Sequence, residues 1–213
     1  MIRFNWLRSG FSIGVLLSAA ACSDTVDPLT VAPTVDDTSF AVNFLRPASG
    51  APAIANPVVT FYARAGSDRE AFMYYRPRPG GGGRDSTVFL RFRVPKDALL
   101  TRPDGTPFTA GDSILITITL SDPAHLGVDL QPSGLRFRTS DPAKLKLSFL
   151  EADEDYNGDG TVNGSDTAIQ PMLAVWQRES SSAPWIRLST VVSAEAHEVE
   201  GTVSGFTSYV IAW

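Results

Sequence analysis

The chain has 213 residues, 43% of them apolar, enough for one domain with a real core plus appendages, which excludes wholesale disorder. Net charge is −5 and no cluster of Lys and Arg stands out, so no nucleic-acid partner is expected. Seventeen Gly and fifteen Pro supply many turns, which suits short strands better than long helices.

The chain begins like an export signal over residues 1–21. Arg3 and Arg8 form a positive start, and Gly10 to Ala21 is a short apolar run ending in small residues. A membrane-spanning helix needs about 20 apolar residues, and this run is shorter. The stretch "LLSAAAC" resembles a bacterial lipobox, although Ala19 stands where Leu is usual. That resemblance implies cleavage before Cys22, the single cysteine, and its lipidation; plain signal cleavage is the competing reading. Ser23 rather than Asp after it implies, by analogy with Gram-negative sorting, an outer-membrane location in the bacterial cell envelope. The first expected partner is thus a membrane, reached through a lipid anchor. Residues 22–54, rich in Thr, Pro, Ala and Asp, read as a tether, with room for a short strand near Phe40 to Leu45.

Residues 55–213 read as the domain, and there the hydrophobic period becomes two. "VVTFYARA" sets Val59, Phe61 and Ala63 against Thr60, Tyr62 and Arg64. "STVFLRFRV" puts Val88, Leu90, Phe92 and Val94 on one face and Arg91 and Arg93 on the other. "DSILITITL" aligns Ile114, Ile116, Ile118 and Leu120, and "AKLKLSF" aligns Leu145, Leu147 and Phe149 opposite Lys144 and Lys146. Half-buried antiparallel strands produce such alternation. With Asp104-Gly105, "QPSG" and "SDP" as turns and no helix pattern beyond about three turns, an all-β antiparallel sandwich is expected. The glycine run in "RPRPGGGGRD" is a hairpin loop, too irregular for a phosphate cradle.

Four pieces, "VPKDALL" (Val94 to Leu100), "LQPSGLRF" (Leu130 to Phe137), "PAKLKLSF" (Pro142 to Phe149) and "GFTSYVIAW" (Gly205 to Trp213), resemble in order and spacing the ZU-type β-sandwich. Zona-occludens scaffolds, Unc-type netrin receptors, ankyrins and some secreted bacterial proteins share that domain. The resemblance covers roughly residues 55 to 213 and implies a binding or scaffolding module rather than an enzyme. Some members cut themselves at an "HFS" opening the last strand; Gly205 replaces the histidine here, with Phe206 and Thr207 following.

The segment 151–171 reads as an insertion carrying "DYNGDGTVNGSD". Against a calcium-binding EF-hand loop, Asp155, Asn157 and Asp159 fall at positions 1, 3 and 5, and Gly160 at the sharp turn, position 6. Thr161 offers a backbone carbonyl at 7, Val162 is the apolar residue at 8, Asn163 stands at 9 and Asp166 at 12. The chemistry asks for hard oxygen donors on alternate residues curling about one centre. Asp at 12 replaces the usual Glu and resembles the calcium loops of dockerins, of which only one copy is present. The flanks depart from an EF-hand: a strand precedes, and Pro171 cuts short any helix beginning near Ser165. The competing reading is a polar Asn/Asp/Gly hairpin tip.

His125 and His197 fall in no zinc or triad pattern. Glu198 and Glu200 share a strand face, which suits a solvated surface better than a glycosidase pair. Trp176, Trp185 and Trp213 are expected in the core or at its rim. The sequence therefore predicts a lipid-anchored envelope module that binds or scaffolds, stiffened by one structural Ca²⁺. The alternative is a calcium-dependent carbohydrate-binding or adhesion module, which exposed Trp beside the loop would favour. The ligand, an unknown protein or polysaccharide, is left open.

Overall fold

A computed structural model describes residues 42–78 and 87–213. The signal segment, Cys22, the tether up to residue 41 and the glycine run lie outside the described residues. Among the described residues, thirteen strands and one short helix follow one another: β1 Val58–Arg64, β2 Arg69–Tyr74, β3 Val88–Val94, β4 Leu99–Thr101, β5 Ser113–Asp122, β6 Gly127–Gln131, β7 Arg136–Phe137 and β8 Ala143–Ser148 come first. Then come α1 Gly164–Ile169, β9 Ala174–Arg178, β10 Ile186–Arg187, β11 Thr190–Ser193, β12 Glu198–Val203 and β13 Ser208–Ala212.

These form two main antiparallel sheets, as the sequence predicts. One has six strands in the order β1-β5-β6-β13-β9-β10, the other five in the order β11-β12-β8-β3-β2, and β4 pairs with β7 in a small third sheet. The period-two stretches explain the layers. On β5, Ile116 and Ile118 are fully buried, and across the core so are Leu90, Phe92, Leu145 and Leu147 of β3 and β8. Leu90 stands opposite Leu147 and Phe92 opposite Leu145 within their sheet. Phe92 meets Phe61 of β1 edge-on at 6.3 Å and Phe206 at 5.8 Å, so one ring bridges the layers. A Cβ at Gly201 would stand 3.0 Å from Cβ of Val175 on the facing sheet, so the missing side chain lets β12 and β9 approach.

Solvent-facing residues of the five-stranded sheet form a ladder of ion pairs. Lys144 reaches Glu200 and Lys146 reaches Glu198, each at 3.0 Å, and Arg91 reaches Glu70 at 2.6 Å. Glu198 and Glu200 are thus each matched by a lysine across the strand pair.

The tether expected up to residue 54 does not extend that far. From Asn43 the chain is already part of the sandwich: Asn43 and Trp213 exchange backbone hydrogen bonds at 3.1 Å, and Leu45 N–H donates to Ile211 O at 3.0 Å. This strap then runs past the start of the inserted loop, where Ala48 N–H donates to Glu151 O and Asp153 N–H to Arg46 O. Leu45 and Ile54 are buried. Pro and Ala between these anchors mask the apolar signal, because one buried residue in a Pro-rich stretch leaves no period to detect.

Candidate functional site

The inserted loop leaves β8 at Ser148 and returns at Ala174 through α1 and a 3-10 turn at Gln170–Met172 that contains Pro171. Its start is folded by its own aspartates. Asp155 accepts N–H bonds from Asp159 (3.0 Å) and Gly160 (2.7 Å), one on each carboxylate oxygen. Asn157 Oδ1 accepts from Asp159 N–H, and Asp159 Oδ1 from Thr161 N–H. Gly160 has φ of +84°, a left-handed conformation that favours glycine at the sharp turn. Asn163 caps α1, its side chain accepting from Ser165 N–H while its own N–H donates to Asp166.

Asp166 closes the loop. Its residue is 2% exposed, and its two oxygens accept from Asn157 N–H at 3.2 Å and Asn163 N–H at 2.9 Å. The Asn163 N–H foremost, with those of Asn157 and Tyr156, holds this carboxyl below the usual carboxylate range. Tyr156 is pushed up by burial, with Glu154 and Asp166 nearby.

Positions 1, 3, 5, 9 and 12 thus belong to one hydrogen-bonded turn. Each carboxylate oxygen has about two lone-pair sites, so the oxygens of Asp155 and Asp166 that accept one N–H apiece keep capacity for a cation. The three aspartates are not gathered at one point: among the described residues no three His, Cys, Asp or Glu side chains converge as a metal-binding group. The donor set therefore fits Ca²⁺ in chemistry and order along the chain, and its oxygens would have to close inward to coordinate one.

Beside the loop lies a feature that the sequence does not reveal, a two-lobed cleft on the outer side of the six-stranded sheet. One lobe, about 400 Å³, is lined by Phe44, Asp122, His125, Asp129, Arg178, Trp185 and Ser208, among others. The second, about 440 Å³, shares Phe44 and His125 and ends against Asp153, Asp155, Tyr156 and Asn157 of the inserted loop. Phe44 stands on the strap between them, 5.4 Å from both the His125 and the Trp185 rings. The Arg178 guanidinium lies 4.6 Å from the centre of Trp185, and His125 Nδ1 is 2.8 Å from Asp122 Oδ2. Sequence alone could not assemble this wall, since Phe44 was counted in the tether and His125 and Trp185 belong to separate hairpins.

The other residues singled out lie apart from the cleft or play structural parts. His197 packs its ring on Phe149 at 5.4 Å in the β11–β12 turn. Trp176 is half-buried and donates its indole N–H to Ala212 O. Thr207 donates its hydroxyl to Arg178 O, and Tyr209 donates to Gly205 O, so the stretch resembling a self-cleavage site ties β13 to its neighbours.

Fold and site together define an all-β sandwich with an acidic inserted loop and an aromatic-walled cleft. Compared with known proteins, the chain matches no family model, no curated protein and no solved structure. The ZU-type resemblance therefore rests on the four quoted pieces. "VPKDALL" runs from the end of β3 into β4, and "LQPSGLRF" from β6 into β7.

Proposed function

We propose that this protein is a binding module of the bacterial cell envelope, anchored through a lipid on Cys22 and stiffened by one Ca²⁺ in the loop Asp155 to Asp166. The observation that carries the calcium reading is the fold of that loop. Asp155 and Asp166, its first and last residues, both accept N–H bonds from inside it, which bends the donor-bearing segment back on itself. Asp155, Asn157, Asp159, Asn163 and Asp166 would offer side-chain oxygens and Thr161 its carbonyl. The lipobox-like "LLSAAAC" supports the anchor.

Calcium titration by calorimetry, with wild-type protein and an Asp155→Ala/Asp159→Ala variant, tests the ion. Saturable heat and a raised melting temperature in the wild type alone are expected, with affinity of about 10⁻⁴ to 10⁻³ M for an isolated extracellular loop. Equal melting curves with and without millimolar Ca²⁺ would reduce the segment to a hairpin tip. A carbohydrate ligand is the second reading: Trp185, half-buried rather than exposed, lines one lobe of a cleft whose other lobe reaches the loop.

A further inference from the structure

Three side chains stand in one row across the outer face of the six-stranded sheet. Ser208 of β13 is flanked in register by Asp129 of β6 and Arg178 of β9, and all three line the 400 Å³ lobe of the cleft. Asp129 Oδ1 and Arg178 Nε are shut off from solvent and lack any hydrogen-bond partner. Neither side chain is in an ion pair among the described residues. An unpaired polar atom of this kind is costly, and an ordered water or a ligand would relieve the cost.

The dimensions and chemistry say what would relieve that cost. Adjacent strands lie about 4.8 Å apart, so the backbones bearing Asp129 and Arg178 are roughly 10 Å apart across β13. That gap takes one six-membered sugar ring with a hydrogen bond at either end. A hydroxyl donating to Asp129 and another oxygen accepting from Arg178 would satisfy both after a small side-chain rotation. A sugar ring also presents a face of C–H groups, which suits the negative π faces of aromatic walls such as Trp185 and Phe44. Charge argues against an anionic ligand: the first lobe sets Asp122 and Asp129 beside His125 and Arg178, and the second sets Asp153 and Asp155 against Arg46. The second lobe, joined through Phe44 and His125, calls for a chain of sugars rather than one ring.

We propose that this cleft binds a linear neutral oligosaccharide, with one sugar seated over Ser208 between Asp129 and Arg178 and the chain continuing past Phe44 toward the inserted loop. The assignment deepens the carbohydrate reading and rests on it. The test titrates the full-length protein in detergent with hexamers of β-1,4-glucose, β-1,4-mannose, β-1,4-xylose and α-1,4-glucose, and with an oligogalacturonate as the anionic comparison. Saturable binding of at least one neutral hexamer is expected, weakened roughly tenfold or more by Trp185→Ala and by Asp129→Asn. In the wild type the same hexamer should shift the Trp185 indole N–H resonance and leave that of Trp213 in place, a readout that holds even if a variant fails to fold. No binding of any neutral hexamer, binding of the galacturonate alone, or an unmoved Trp185 resonance would overturn the proposal. Each titration is repeated in chelator and with the Asp155→Ala/Asp159→Ala variant. Binding that survives both supports the cleft while removing calcium from its action. Calcium heat without glycan binding overturns the cleft and leaves the calcium reading standing.

Discussion

Asp166 carries two demands at once, closing the inserted loop and, in the proposed site, supplying its last ligand. Its carboxyl is held below the usual range by backbone N–H donors, as are Asp104, chiefly through the Thr106 hydroxyl, and Asp112, chiefly through the Thr109 N–H. A carboxyl depressed in the folded state contributes stability that is complete above its unfolded value, near 3.9, and is lost as pH falls through the lower folded value. Chemical denaturation without calcium should therefore show stability falling below about pH 4. Asp166→Asn should flatten that acid arm, and an unchanged arm in this variant would remove Asp166 from the explanation. Gly201 makes a different demand, for space. With Val175 Cβ at 3.0 Å from the place of a new methyl, Gly201→Ala should cost about 1–3 kcal/mol by forcing β12 from β9. A urea melt with an unshifted midpoint would show that the sheets can part freely.

Among elements, the strap formed by residues 43–47 is the least expected. Leu45, 3% exposed, packs in the core, so Leu45→Ala should cost about 2–5 kcal/mol, the loss of a buried leucine rather than of a linker residue. Thermal melting checks this, and a change within experimental error would mean that the strap is only loosely docked. The strands themselves differ in how plainly the sequence declares them. Alternation announces β1, β3, β5 and β8, because each buries one face and wets the other. β2 (REAFMY) and β6 (GVDLQ) are short, and apolar Phe72 and Tyr74 stand on the less buried face of β2, so too few alternations accumulate for a period to stand out. Of the inserted loop, the order of the oxygen-bearing side chains, the sharp turn at Gly160 and a helix stopped near Pro171 are legible from residue types alone. The cleft is not, because cross-strand register and the path of the strap decide which of Phe44, His125, Asp129, Arg178 and Trp185 meet.

On the scale of the whole molecule, the two sheets present unlike outer surfaces. The five-stranded sheet shows solvent a ladder of matched charges, whose exposed pairs contribute only about 0.2–1 kcal/mol each. Melting in 1 M NaCl should therefore move the transition by only a few degrees, and collapse of the fold in salt would assign the ladder a far larger role. The six-stranded sheet carries the cleft and, farther along, exposed Val58, Tyr62 and Leu115. The proposed binding face is thus one side of the sandwich. Metabolic labelling with a radiolabelled fatty acid should mark the wild type and spare Cys22→Ser; equal labelling of both would move the anchor elsewhere.

The strap also decides where mechanical load is felt. A pull transmitted along the chain toward the sandwich arrives first at the Asn43–Trp213 pair, next at Phe44, then at Leu45 against Ile211. These few hydrogen bonds peel one after another, whereas the sheets behind them are held along whole strands. Phe44 is the shared wall of both cleft lobes, so traction that parts the Asn43–Trp213 pair and shifts Phe44 would open the groove while Leu45, one residue further on, still holds the strap to the core. In the proposed envelope module, the cleft would thus loosen its hold under strain and recover it when the strain eased, with no need to unfold.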